Sequence, residues 1–182
     1  MSRSIIVLCI LLLLPAFAVA EIEKVGEICK TGICLYWWPK LLSAKGWHHE
    51  RGPSYANSAN IQVPDGFTFS DAETVIYAKA LYKPRIPETK SLEKLIKNDS
   101  DEFISRDPGV TVTEVEPLKT GDGKSLKSFT FFPKYKGNWE RVSYGEESDF
   151  YLIFTISSRT KEGFDKSSEI YKQYISNYKE KP

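Results

Sequence analysis

Residues Asp149–Ile175 read DFYLIFTISSRTKEGFDKSSEIYKQYI, and they decide the fold. Phe150, Leu152, Phe154 and Ile156 fall on one face of an extended segment; Tyr151, Ile153 and Thr155 fall on the other. Side chains alternate across a strand with period two. Both faces are largely apolar, so this segment is expected to be a central strand covered on both sides. Thr160 then offers an N-cap oxygen. Beyond it Phe164, Ser167, Tyr171, Tyr174, Ile175 and Tyr178 recur at steps of three and four. That spacing places them on one tyrosine-rich stripe of an amphipathic helix.

Upstream, three more segments have strand character: VTVTEVEPL (110–118), KSLKSFTFFP (124–133) and NWERVSYG (138–145). Their linkers, KTGDG, KYKG and EESD, are hairpin material. Four strands therefore run as a C-terminal meander. Before it, Leu92, Leu95, Ile96, Phe103 and Ile104 recur at helical spacing, with Asp99 interrupting the stripe. Asp107-Pro108-Gly109 stops that helix, and Thr89 or Ser91 can cap its start. Thr74–Lys83 reads as a strand with Ile76, Ala78, Ala80 and Tyr82 on one face, its small alanines suited to a close helix. Cys34–Leu42 is an aromatic strand ended by Pro39. GWHHERG is a short extended piece, SYANSAN (54–60) is polar and turn-like, and IQVPDGFTF is extended with a break at Pro64-Asp65-Gly66. The expected fold is α+β: an antiparallel sheet with a four-strand C-terminal meander, packed between helices as an α/β/α sandwich.

Three stretches carry a family resemblance. VPDGFTF resembles an early proline-glycine-aromatic turn, SFTFF an internal meander strand, and YGEESDFYLIFTISSRTKEGFDKSSEIYKQYI a closing unit of acidic hairpin, aromatic strand and helix. Together they are similar to the sandwich fold of the extrinsic photosystem II subunit P. The Ran-binding nuclear import factor and many small secreted bacterial proteins share that fold. The resemblance implies a non-catalytic accessory or binding protein acting on a larger partner. It covers the last third of the chain best. The N-terminal cysteine pair and YWWP have no counterpart in it, so no binding residue is carried across.

The chain begins with Arg3, an apolar run from Ile5 to Leu14, a break at Pro15, and Ala18-Val19-Ala20. This is the three-part pattern of a secretory signal peptide. The apolar run is shorter than the ~20 residues a spanning helix needs. Residues 1–20 are therefore expected to be removed, leaving 21–182 as one domain that is exported to the periplasm or beyond, without stable membrane insertion. The 25 Lys+Arg and 24 Asp+Glu residues are interspersed. Loss of Arg3 balances them, and no basic stripe points to nucleic acid.

Cys29 and Cys34 flank a Thr31-Gly32 turn signal. In an oxidising compartment a disulfide is the favoured reading. A redox pair favours the Cys-x-x-Cys spacing instead.

His48 and His49 are the two histidines of the chain. Adjacent strand residues point to opposite faces, so the pair cannot easily grip one ion. His48 and Glu50 are the metal candidates, but a zinc site takes at least three protein ligands. No metal or other cofactor is expected. There is no G-x-S-x-G elbow and no nucleophile–base constellation, so no catalytic residue is assigned. Trp37, Trp38, Trp47, His48 and His49 are the possible binding surface, although tryptophans also build β-rich cores. The leading expectation is a small exported binding protein without catalysis. The alternatives are a metal-dependent or hydrolytic envelope enzyme using His48, His49 and Glu50, and a sugar or peptide module using exposed tryptophans.

Overall fold

The computed structural model describes residues 22–30 and 32–179. The expected signal peptide, residues 1–20, lies outside them. Strands β1 (Ile22–Cys29) and β2 (Gly32–Pro39) form a separate antiparallel hairpin. Gly32 sits at its turn with φ +126°, a backbone conformation that side chains disfavour. The sulfurs of Cys29 and Cys34 are bonded across this turn.

Then come β3 (Trp47–His49), α1 (Arg51–Asn57), β4 (Asn60–Pro64), β5 (Thr74–Tyr82) and α2 (Leu92–Arg106). The meander follows as β6 (Thr111–Lys119), β7 (Ser125–Phe132), β8 (Trp139–Glu147) and β9 (Phe150–Ser158), and α3 (Lys161–Ser176) closes the described chain. One seven-stranded sheet has the order β3-β4-β5-β9-β8-β7-β6, antiparallel throughout.

Strand β9 is central, as its two apolar faces require. On one face Leu152, Phe154 and Ile156 pack with Phe164, Tyr171, Tyr174 and Ile175 of α3. Ala78 and Ala80 of β5 lie beneath the same helix. Thr160 caps α3 by accepting from the Gly163 amide at 3.0 Å. On the other face Tyr151 packs with Phe131, Val142 and Tyr144 under Leu95 and Ile96 of α2. Ser91 caps α2 at the Lys94 amide. Asp99, which interrupts the apolar stripe of α2, turns inward and accepts the Tyr144 hydroxyl.

Both sheet edges are blunted. β3 is three residues long, and β6 carries a register shift between Val115 and Leu118 that contains Pro117. A proline and a bulge on an edge strand discourage pairing with another chain.

One expectation is corrected. SYANSAN is not a turn throughout: Arg51–Asn57 is a helix. Pro53 fits a first helical turn, where its missing amide costs nothing. Ser58 ends the helix in the left-handed region at φ 52°. Two turns of mostly polar residues carry no readable apolar period, so the sequence pattern gives no sign of it. Strand β1 was likewise not anticipated.

A candidate binding groove on the open half of the sheet

Helix α2 packs over β7, β8 and β9 through Phe131, Val142, Tyr144 and Tyr151. Toward β4 and the first half of β5 the same face carries a separate cluster that includes no residue of α2. There Ala59, Ile61, Val63 and Ala72 form a small separate cluster with Phe69, Val75 and Tyr77 against it. Beside this cluster lies a concavity of about 250 Å³. A second one, of about 330 Å³, shares Phe69, Val75, Asn138 and Ser157 with it, so the two are continuous. Alternate residues of β5 (Lys79, Tyr77, Val75) and then Glu73 line the groove in succession. It therefore runs along β5.

Glu140 of β8 stands on the groove floor. It is 8% exposed. The Ser157 hydroxyl donates to its Oε1 at 2.5 Å, and the Asn138 amide donates to Ser157 Oγ at 3.0 Å. Burial pushes the Glu140 carboxyl above its ordinary range, Asp99 adds to the rise, and Arg106 opposes it as the weakest of these influences. Burial, then Glu140, pushes the Tyr77 phenol up as well. A concavity with apolar walls, convergent polar groups and a perturbed carboxyl is a candidate ligand site.

The histidines lie on the edge strand β3, which pairs with β4. His48 Nδ1 is 3.4 Å from Asp65 and Nε2 is 3.9 Å from Glu50, on opposite sides of the ring. An ion on either nitrogen meets one of these carboxylates, not both. Among the described residues no cluster of three His, Cys, Asp or Glu side chains has metal-binding geometry. His49 faces the other way and meets Ser54 Oγ at 2.9 Å.

That serine–histidine contact has the look of a nucleophile and its base, but its protons run the wrong way. Ser54 Oγ lies 2.7 Å from the Glu50 carbonyl oxygen, and two oxygens at that distance need the serine proton between them. Ser54 also accepts from the Ile61 amide at 3.0 Å. The His49 Nε2–H must therefore donate to Ser54. Ser54 is fully buried, with its oxygen saturated. It fixes α1 to β4 and cannot attack a substrate.

Burial, with the charge of Arg51, holds the His49 pKa below its ordinary value. A depressed histidine pKa leaves stability complete above the unfolded-state value, ~6.5. Stability is then lost as pH falls from there through the folded-state value. A His49→Gln protein is expected to lose this acid slope in the range below pH ~6.5. Urea melts of both proteins across that range check it; parallel slopes would contradict the tautomer and burial described here.

Trp38 and Trp47 are 2% and 9% exposed, so both rings are core. Trp37 stacks on Tyr82 at 5.6 Å, with the Arg85 guanidinium 4.2 Å from its ring. Trp139 packs on Phe132 at 4.7 Å. The tryptophans thus hold the hairpin and the α3 face in place. Trp38, His49, Arg51 and Tyr55 do line a cleft of about 200 Å³ between the hairpin and α1. Of its polar groups, Arg51 donates to Tyr55 and His49 to Ser54, while Glu23 is exposed to solvent. The Trp38 Nε1–H is unpaired but sealed from the surface. The groove holds a buried carboxyl, Glu140, that forms no ion pair among the described residues.

The arrangement defines an antiparallel α+β sandwich with a groove on one sheet face. No family model matches the chain, and no curated protein matches it. Among solved structures it is similar to the Ran-binding protein Mog1p of Saccharomyces cerevisiae. Identity is 10% over 86% of this chain and 90% of that one, with a TM-score of 0.41. At those values the similarity assigns no residue and no activity.

Proposed function

We propose that this chain is an exported, non-catalytic accessory protein that binds a larger partner through the groove along β5. The observation that carries the reading is the partly exposed apolar trio Phe69, Val75 and Tyr77, packed over buried Ile61 and beside a buried carboxyl. Apolar surface left open on a sheet face gains by being covered, at about 25 cal/mol per Å² removed from water. Export is supported by the signal pattern in residues 1–20 and by the Cys29–Cys34 disulfide, a bond that persists in oxidising compartments. Among the described residues no helix is long and apolar enough to cross a membrane.

A Val75→Trp protein tests the reading. Val75 lines both parts of the groove, so the larger ring fills it. Wild type immobilised on resin should retain an envelope protein that Val75→Trp, folded by circular dichroism, retains at least ~10-fold less, which corresponds to about 1.4 kcal/mol. Equal retention by both proteins would move the binding surface elsewhere.

A further inference from the structure

The groove has a length and a floor that together specify an occupant. Glu73 to Lys79 is a bend residue followed by six residues of β5, and strands rise ~3.3 Å per residue, so the groove extends roughly 20 Å. That is the reach of about six extended residues, not of a compact small molecule. Its walls are Ile61, Phe69, Val75 and Tyr77, and its floor carries Glu140.

Among the described residues Glu140 forms no ion pair with a lysine or arginine. The two cations of the groove lining are engaged elsewhere: Lys79 lies against the Tyr77 ring at 5.7 Å, and Arg159 donates to the Ser70 carbonyl oxygen at 2.7 Å. Ser157 and Asn138 supply neutral hydrogen bonds to the site, not charge. A buried carboxylate without a cation is costly, and a partner that brings one removes the cost.

Resting on the groove reading above, we propose that the groove takes an extended segment of a partner protein and that Glu140 is the counter-charge for a lysine or arginine side chain of that segment. The methylene stem of such a side chain packs on Phe69, Ile61 and Val75, as long basic side chains do along apolar surface. Its charged end reaches the Glu140 carboxylate, with Ser157 Oγ and Asn138 Oδ1 as further acceptors. The Tyr77 ring face adds a cation–π contact.

Blocked tripeptides Ac-Ala-X-Ala-NH2 test this, with X lysine, arginine, norleucine or glutamate. Norleucine keeps the stem of lysine and removes the charge. Binding is read from backbone amide shifts of the folded protein at neutral pH. The lysine and arginine peptides should shift Val75, Tyr77 and Ser157 and bind at least ~10-fold tighter than norleucine, the scale of one charge-assisted contact. Glu140→Gln should reduce that preference to under about twofold, the residue left to cation–π and packing, while norleucine binding stays as in wild type. Asn138→Arg, an exposed rim change that supplies a cation from within, should have the same effect if Glu140→Gln proves unstable. Norleucine bound as tightly as lysine would overturn the charge selectivity and leave a neutral peptide groove standing. No groove shift with any peptide would overturn both this inference and the groove reading.

Discussion

Phe154→Ala is expected to lower stability by about 3–5 kcal/mol, the range for deleting a buried aromatic ring. Total stabilities of such domains are only about 5–15 kcal/mol, so much of the population should unfold under mild denaturant. Phe154 is fully buried in the middle of the central strand. Tyr174 and Tyr178 meet its ring edge-on at 6.5 and 5.6 Å. Beside it the Tyr171 hydroxyl meets the Phe154 carbonyl oxygen at 2.8 Å and Ser143 Oγ at 2.9 Å. A cavity there opens directly onto these buried hydroxyls, and water entering it does not restore the lost packing. Guanidinium melts of the two proteins measure the difference. A loss under about 1 kcal/mol, the scale of a surface change, would mean that the α3 face is not the main core.

Gly121→Ala should cost about 1–3 kcal/mol by overpacking. Gly121 lies in the β6–β7 turn, and its amide donates to the Tyr178 carbonyl at 2.7 Å. A Cβ there would stand 2.3 Å from the backbone oxygen of Ser176. Backbone cannot rotate aside as a side chain tip can. The turn must retreat, breaking the Gly121–Tyr178 bond and loosening Tyr178, whose ring is fully buried against Phe154. A thermal melt should therefore shift down, with faster amide exchange at the end of α3. An unchanged melt would show that this turn does not clamp the helix.

The parts of the fold with long periods were readable from the chain. β9 shows its two apolar faces as two interleaved period-two sets, and α3 shows its tyrosines at helical steps. The N-caps at Ser91 and Thr160 follow from the same rules. α1 was not readable, because seven residues held by one serine network leave no period in the sequence. The groove was not readable either. Ile61, Phe69, Val75 and Glu140 come from separate segments, and only sheet pairing brings them together. Glu140 is one charged residue in the strand segment NWERVSYG, and only the β8–β9 register places it, buried, beside Ser157. Asp99, breaking an apolar stripe, was the visible sign of a buried acid on this face; burial raises its pKa despite the Tyr144 hydrogen bond. The burial of Trp38 and Trp47, and the place of His48 and His49 on the edge strand β3, also follow only from the pairing of distant segments.

The most direct measurement is site-specific photo-cross-linking in the source cells. A photoreactive side chain replaces Asn57 or Asn138 on the groove rim, and in separate proteins Ile104 on the exposed side of α2 or Tyr135 in the β7–β8 turn. The groove account predicts one discrete cross-linked partner from both Asn57 and Asn138, absent when Val75→Trp is added, and none from Ile104 or Tyr135. A partner captured from Ile104 or Tyr135 and not from the groove rim would contradict it.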